Sequence, residues 1–209
     1  MSISEPMTMA TDYLLGGVTA WLAALLFKAS ASQKSRTFWA IAFAALAVAA
    51  FLGGTWHGVV RNNLLWKATL LAAGAASFAM VVASAIATSS GAARQVIVTM
   101  ALAKLAVYSA WMLNHNAFIF VVIDTGVAFA VVLGLHLWRF NGWIVTGVAV
   151  SVAAALVQAS GLALHEHFNH NDLYHVIQIA AMALFYRGAR RLSDARAPTP
   201  APPAAAARP

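Results

Sequence analysis

Apolar runs recur from one end of the chain to the other, and each is long enough to cross a bilayer. A spanning helix needs about 20 mostly apolar residues. Seven such segments can be drawn, over about 11–28, 37–60, 63–88, 93–113, 116–138, 142–164 and 171–190. Backbone in hydrocarbon must satisfy its own hydrogen bonds, so only helices and closed barrels span membranes. These runs are too long, and alternate too little, to be barrel strands. The expected fold is therefore all-α, a polytopic membrane protein built as a seven-transmembrane-helix bundle over residues 1–192. The connections are short, so sequential helices should be antiparallel neighbours. Gly74, Ala75 and Ser77 should let helices approach closely. No repeat points to a transporter made of duplicated halves. Residues 193–209, SDARAPTPAPPAAAARP, lack large apolar side chains and are expected to form a disordered cytoplasmic tail.

Composition agrees. Of the 209 residues 62% are hydrophobic and 9% charged, whereas a globular chain is roughly 45–50% apolar. The absence of cysteine excludes disulfides and thiolate metal sites. The net charge of +7 would suggest nucleic acid in a soluble protein. Here the basic residues lie mostly in connections and the tail, where membrane topology accounts for them and no nucleic-acid partner is expected. Lys28, Lys34, Arg36, Arg94, Arg139, Arg187, Arg190, Arg191 and Arg196 fall on one side, with Arg61 and Lys67 towards the other. The bias predicts an N-terminus outside and a C-terminus in the cytoplasm. The first segment is approached by Glu5 and Asp12 with no Lys or Arg, which does not suit a cleavable signal peptide.

Against this background the stretch HEHFNHNDLYHVIQ, residues 165–178, holds four of the seven histidines. Ionisable groups in a bilayer are costly and are functional candidates by default. His57 lies about four residues before the outer end of the second segment, ~6 Å deep at 1.5 Å per residue. His175 enters the seventh from the same side to ~6–8 Å. Asp172 is three residues before His175 and shares its helical face. An acid and a histidine at that spacing are half of a typical bundle metal site. Asn171 shares roughly that face, and His170 is offset from it. His165 and His167 lie nearer water, and headgroup contact is their simpler reading. His115 and His136 are expected at the membrane interfaces. Asp124 is mid-helix and is expected to meet Lys104. Asp12 reads either as an N-terminal cap or as a carboxylate facing the seventh helix. Tyr13 and Trp56 suit an aromatic belt. Gly53, Gly54 and Gly58 suggest close approach of a helix or ligand.

Two histidines and a carboxylate make a tetrahedral zinc set with one position left for water. Such a metal lowers the water pKa to about 7 and polarises a carbonyl. The candidate metal ligands are His57, His175, Asp172 and His170. Asp172 is open between ligand and general base, and Asp12 is a further catalytic carboxylate.

The GGTWHG and NDLYHVIQIAAMALFY stretches, with seven helices, resemble the superfamily of alkaline ceramidases, progestin and adiponectin receptors and GPI-remodelling lipid hydrolases. More narrowly, the chain resembles an uncharacterised bacterial branch with GGxxHG and DLYH signatures. The resemblance implies a bacterial plasma-membrane protein that uses zinc to hydrolyse a lipid amide or ester at the outer face, with membrane lipids as partners. The alternative is a receptor or scaffold of the same fold without catalysis, with or without a structural metal. A transporter is disfavoured, since the inner half offers little beyond Lys104 and Asp124. The chain departs from the family pattern at Asn171, where the HxxxH motif has histidine, and at Gly53, where the family has serine. It also has no aspartate opening the third helix. No oligomeric state can be read from the sequence.

Overall fold

A computed structural model describes residues 4–196. Its elements are seven helices, α1 (Pro6–Ala29), α2 (Lys34–Gly58), α3 (Asn63–Thr88), α4 (Gly91–Asn114), α5 (Ile119–Trp138), α6 (Gly142–Ser160) and α7 (His170–Ala189). Six of them, α1 to α6, are long and apolar enough to cross a membrane. The 20-residue α7 opens on His170, Asn171 and Asp172, and this polar turn sets it apart.

The helix ends follow local chemistry. Pro6 stands at the first position of α1, where its fixed φ suits a helix and its missing N–H costs nothing. The helix thus starts before residue 11, and Asp12 lies well inside it and does not cap it. Asn62 and Asn141 cap α3 and α6 by accepting from Leu65 N and Ile144 N. Gly161 takes a left-handed conformation (φ 70°) and ends α6 at Ser160, short of the expected 164. The chain then turns back on itself, with Leu164 N and His165 N both donating to Phe168 O.

Each helix packs on its sequence neighbours, and α1 also packs on α7, closing the bundle. Small residues allow the closest contacts. A Cβ added to Gly54 would lie 2.8 Å from the Tyr13 ring, and one on Gly58 would run into Met9, so α1 lies directly on α2. The Tyr108 ring covers Gly74 in the same way, and its hydroxyl donates to Leu70 O at 2.8 Å. Trp39 stacks on Phe185 at 5.4 Å in the main core. By contrast α4 buries only Ala101, Tyr108 and Met112, and most of its other side chains are exposed or half-buried. Lys104 pairs with Asp124, as expected, and Ser77 donates to the same carboxylate. This knot ties α3, α4 and α5 together at mid-bundle.

The Pro- and Ala-rich tail does not begin at residue 193. Asp194 and Ala195 are placed by specific contacts, and residues 197–209 lie outside the described residues. Arg36 Nε donates to Leu192 O at 2.7 Å, Arg94 Nη2 to Ala195 O at 2.6 Å, and Ala195 N to Ile86 O at 3.0 Å. The Asp194 carboxylate receives Lys34 N and Ser35 N, both at 2.9 Å, and so caps α2 from a distant part of the chain.

Burial raises the Asp194 pKa, but hydrogen bonds from Ser35 and Lys34 and the charge of Arg94 outweigh it, leaving it below the usual 3.8. A group with a depressed folded pKa stabilises the fold above its unfolded value, and loses that effect as pH falls through the folded one. Asp194→Ala should therefore cost about 1 kcal/mol at neutral pH, as loss of a helix cap does. The difference from wild type should vanish in strong acid. Thermal unfolding in detergent at the two pH values measures both.

Candidate functional site

At the end of the bundle where α1 and α7 begin, side chains from both helices meet. Thr8, Thr11 and Asp12 repeat at helical spacing on the buried face of α1. Asp172 and His175, three apart, occupy one face of α7. Asp12 Oδ1 lies 3.1 Å from His175 Nε2. The other ring nitrogen, Nδ1, is 3.0 Å from Thr11 Oγ1, which is in turn 3.4 Å from Asp172 Oδ1. The second Asp172 oxygen accepts Asn169 N at 2.8 Å. The four groups form one chain, from Asp12 through His175 and Thr11 to Asp172. It lies out of water, with Asp172 0%, Asp12 5% and His175 7% exposed.

This order of contacts can move a proton. A proton on Asp12 can be donated to His175 Nε2, Nδ1–H can donate to Thr11, and the Thr11 hydroxyl can donate to Asp172. A histidine with a carboxylate on one nitrogen and a hydroxyl on the other is an acid–base centre with both partners in place.

A second, wetter layer lies one turn nearer the end of α2. His57 Nδ1 contacts Glu5 Oε2 at 2.7 Å, and Glu5 also pairs with Arg61. Ser4 closes the layer by donating to His57 O. His57 is one helical turn from Gly53, where an added Cβ would lie 3.6 Å from Asp12 Oδ2. The two layers therefore stack, His57 above Asp12. The same Cβ would touch Thr69 Cγ2 at 3.5 Å, so Gly53 is closely covered by α1 and α3.

The expected residues have separated into different tasks. Asp172 fills the third position of a capping box with Asn169, a standard way to satisfy the free N–H groups of a helix start. Its oxygens are committed to Asn169 N and Thr11, and it stands beside His175 as a brace. His170 is the first residue of α7, half-buried, and forms no hydrogen bond among the described residues. His165 and His167 are exposed in the loop before it, their rings 5.4 Å apart. His115 stacks on Trp111 at the end of α4. His136 is corrected: it is fully buried, with Nε2 3.1 Å from Ser84 Oγ, because its face of α5 turns towards α3 and away from the interface.

A catalytic zinc site needs three protein ligands at about 2.0–2.1 Å. Asp12 and His175 offer an oxygen and a nitrogen at the separation of two such ligands. No group of three His, Asp or Glu side chains among the described residues is arranged to hold a metal. His57 is drawn to Glu5 and Asp172 to its helix cap.

Thr11 and Glu5 were not singled out in the sequence. Thr11 had a signal, since it shares a helical stripe with Thr8 and precedes Asp12. Glu5 had none, because it reaches His57 across 52 positions of chain.

The chain belongs to DUF6962, a family of unknown function whose model matches residues 7–194. No curated protein matches it. No solved structure matches it. The likeness to the ceramidase and adiponectin-receptor superfamily therefore rests on the second- and seventh-helix motifs alone.

Thr11 is the joint between His175 and Asp172. Thr11→Val keeps the shape and removes the hydroxyl, leaving buried groups unpaired at a cost of about 1–3 kcal/mol. Tyr13→Phe deletes only the half-buried contact with Thr55 and should stay within about 0.5 kcal/mol of wild type. Unfolding in detergent compares the two, and equal losses would remove the special role given to Thr11.

Proposed function

We propose that the protein is an integral membrane hydrolase of a lipid amide or ester. In this reading all seven helices cross the membrane, the N-terminus is outside, and the reaction takes place at the outer end of the bundle. The observation that supports it most is the buried Asp12–His175 contact at 3.1 Å. Ionisable groups are expensive in hydrocarbon and apolar packing would join two helices at lower cost, which favours a chemical use for the pair. Water attacks the carbonyl carbon and gives its proton to Asp12 through Oδ2, the oxygen not engaged by His175. Asp12 returns that proton to the departing amine or alkoxide as the bond to carbon breaks. His175 holds the carboxylate through Oδ1 and is itself oriented by Thr11. The ring enters about five residues into α7, ~8 Å along the helix at 1.5 Å per residue. That depth suits a lipid whose scissile bond lies just below the headgroup.

The second reading is a scaffold or receptor in which the same cluster is only a lock between α1 and α7. It is favoured by the complete burial of Asp172 and by its place in the helix cap.

Purified protein incubated with ceramides, N-acyl lipids and phospholipids separates the two. Fatty-acid release should fall by about 10²–10⁴ in His175→Ala and Asp12→Asn, the usual contribution of a positioned acid or base. It should be unchanged in His115→Ala. Release no faster than in His175→Ala across the panel leaves the scaffold. Metal analysis of the same samples tests zinc: one ion per chain, lost in His175→Ala, would put a metal-bound water in place of the side-chain route. The proposed orientation is tested separately. Reporters at residue 31 should be cytoplasmic and at residue 168 external, and the reverse pattern would overturn it.

A further inference from the structure

At the opposite end of the bundle, α5, α6 and the segment after α7 border an open cleft of about 650 Å³. Its lining includes His136, Arg139, Trp143 and Arg191, and no carboxylate among the described residues. His136 is 0% exposed, and its Nδ1 has no hydrogen-bond partner among the described residues. Buried polar atoms without a partner are rare in folded proteins, because the lost hydration is not replaced. In the tautomer in which Nε2 accepts from Ser84 Oγ, the ring hydrogen is on Nδ1 and is free for a ligand in the cleft.

Further donors converge there. Helix α6 begins at the cleft, with Gly142 and Trp143 in its wall. Asn141 receives Ile144 N through its side chain and Val145 N through its carbonyl. The N–H groups of Gly142 and Trp143 find no acceptor among the described residues. The start of a helix carries partial positive charge and binds anions. Arg139 is pinned by two bonds to Thr88 O at 3.2 and 2.9 Å. The Arg191 guanidinium lies 5.4 Å from the Trp143 ring centre. The carboxylate of Asp194, in the adjoining segment, is occupied by the N–H groups of Lys34 and Ser35.

The rim is apolar. Phe140 is 94% exposed and adopts φ 52°, a left-handed conformation that L side chains rarely take. With Gly134, Leu137 and Trp138 it lines a second cleft, of about 570 Å³, that shares Phe140 with the basic one. A basic pocket between membrane helices beside an apolar groove is the form of an anionic lipid-headgroup site.

We propose that this cleft binds a phosphate group, taken from the headgroup of an anionic phospholipid or from free phosphate. His136 Nδ1–H, Arg139, Arg191 and the first N–H groups of α6 are its donors. The volume and the neighbouring apolar groove favour the lipid. The site is remote from Asp12 and His175 and independent of the reading given to them.

Native mass spectrometry of the full-length protein with phosphatidylglycerol or phosphatidylcholine tests the lipid source. Titration with inorganic phosphate, followed by the ¹⁵N signal of the His136 ring, tests the free ion. Wild type should retain phosphatidylglycerol about tenfold better than phosphatidylcholine. Arg191→Gln and Arg139→Gln should each abolish most of that preference, and Arg190→Gln, outside the cleft, should not. His136→Gln is read only if its circular dichroism matches wild type, and the arginine variants decide the matter without it. A His136 shift with inorganic phosphate, lost in Arg191→Gln and without a lipid preference, supports the site and assigns it to the free ion. No preference and no shift, or a preference untouched by both Arg139→Gln and Arg191→Gln, overturns the proposal.

Discussion

The contact between α1 and α7 holds the bundle closed, and at the end where both helices begin it is made of polar groups. Asp12, His175, Thr11 and Asp172 satisfy one another in a row. In lipid there is no hydrophobic force to bring two helices together, since the acyl chains are as apolar as leucine. Close packing and hydrogen bonds must do it. The glycines of α2 supply the first by letting α1 approach at Gly54 and Gly58. That approach places Asp12 where it can reach His175. The site therefore depends on residues with no chemistry of their own.

The same rule governs the other buried polar groups. Lys104, Asp124 and Ser77 neutralise one another at mid-bundle and tie the peripheral α4 to α3 and α5. A charge buried there without its partner would be strongly destabilising. His136 stands apart from these knots. Among the described residues only one of its two nitrogens has a partner, Ser84, and it borders a cleft lined by guanidinium groups and no acid. The two ends of the bundle thus differ in kind. One carries carboxylates paired with histidines, and the other carries a cleft lined by Arg139, Arg191 and His136.

Much of the fold was legible in the chain. Seven apolar runs became seven helices, most with ends within a few residues of those expected, because length and hydropathy act locally and the bilayer permits few alternatives. Asp172 and His175 share a face because three residues is nearly one helical turn. Lys104 meets Asp124 because two opposite charges at similar depth in a small bundle have few other partners. The ends that moved did so for local reasons also, Pro6 starting α1 early and Gly161 stopping α6.

Other features were settled only by the tertiary structure. Helical periodicity says which residues share a face, but not which neighbour that face meets. Rotation about the helix axis turned His136 inward to Ser84 and drew His57 to Glu5. Thr11 and His175 are 164 positions apart, and nothing in either local pattern couples them. The four histidines of residues 165–178 divide between a loop, a helix start and a single buried ring inside α7. Composition and spacing determined that this chain forms a helical bundle suited to a membrane, with ionisable groups near one end. The relative rotation of α1, α2 and α7 decided which of those groups touch, because side-chain contact depends on helix packing angles that no single helix contains.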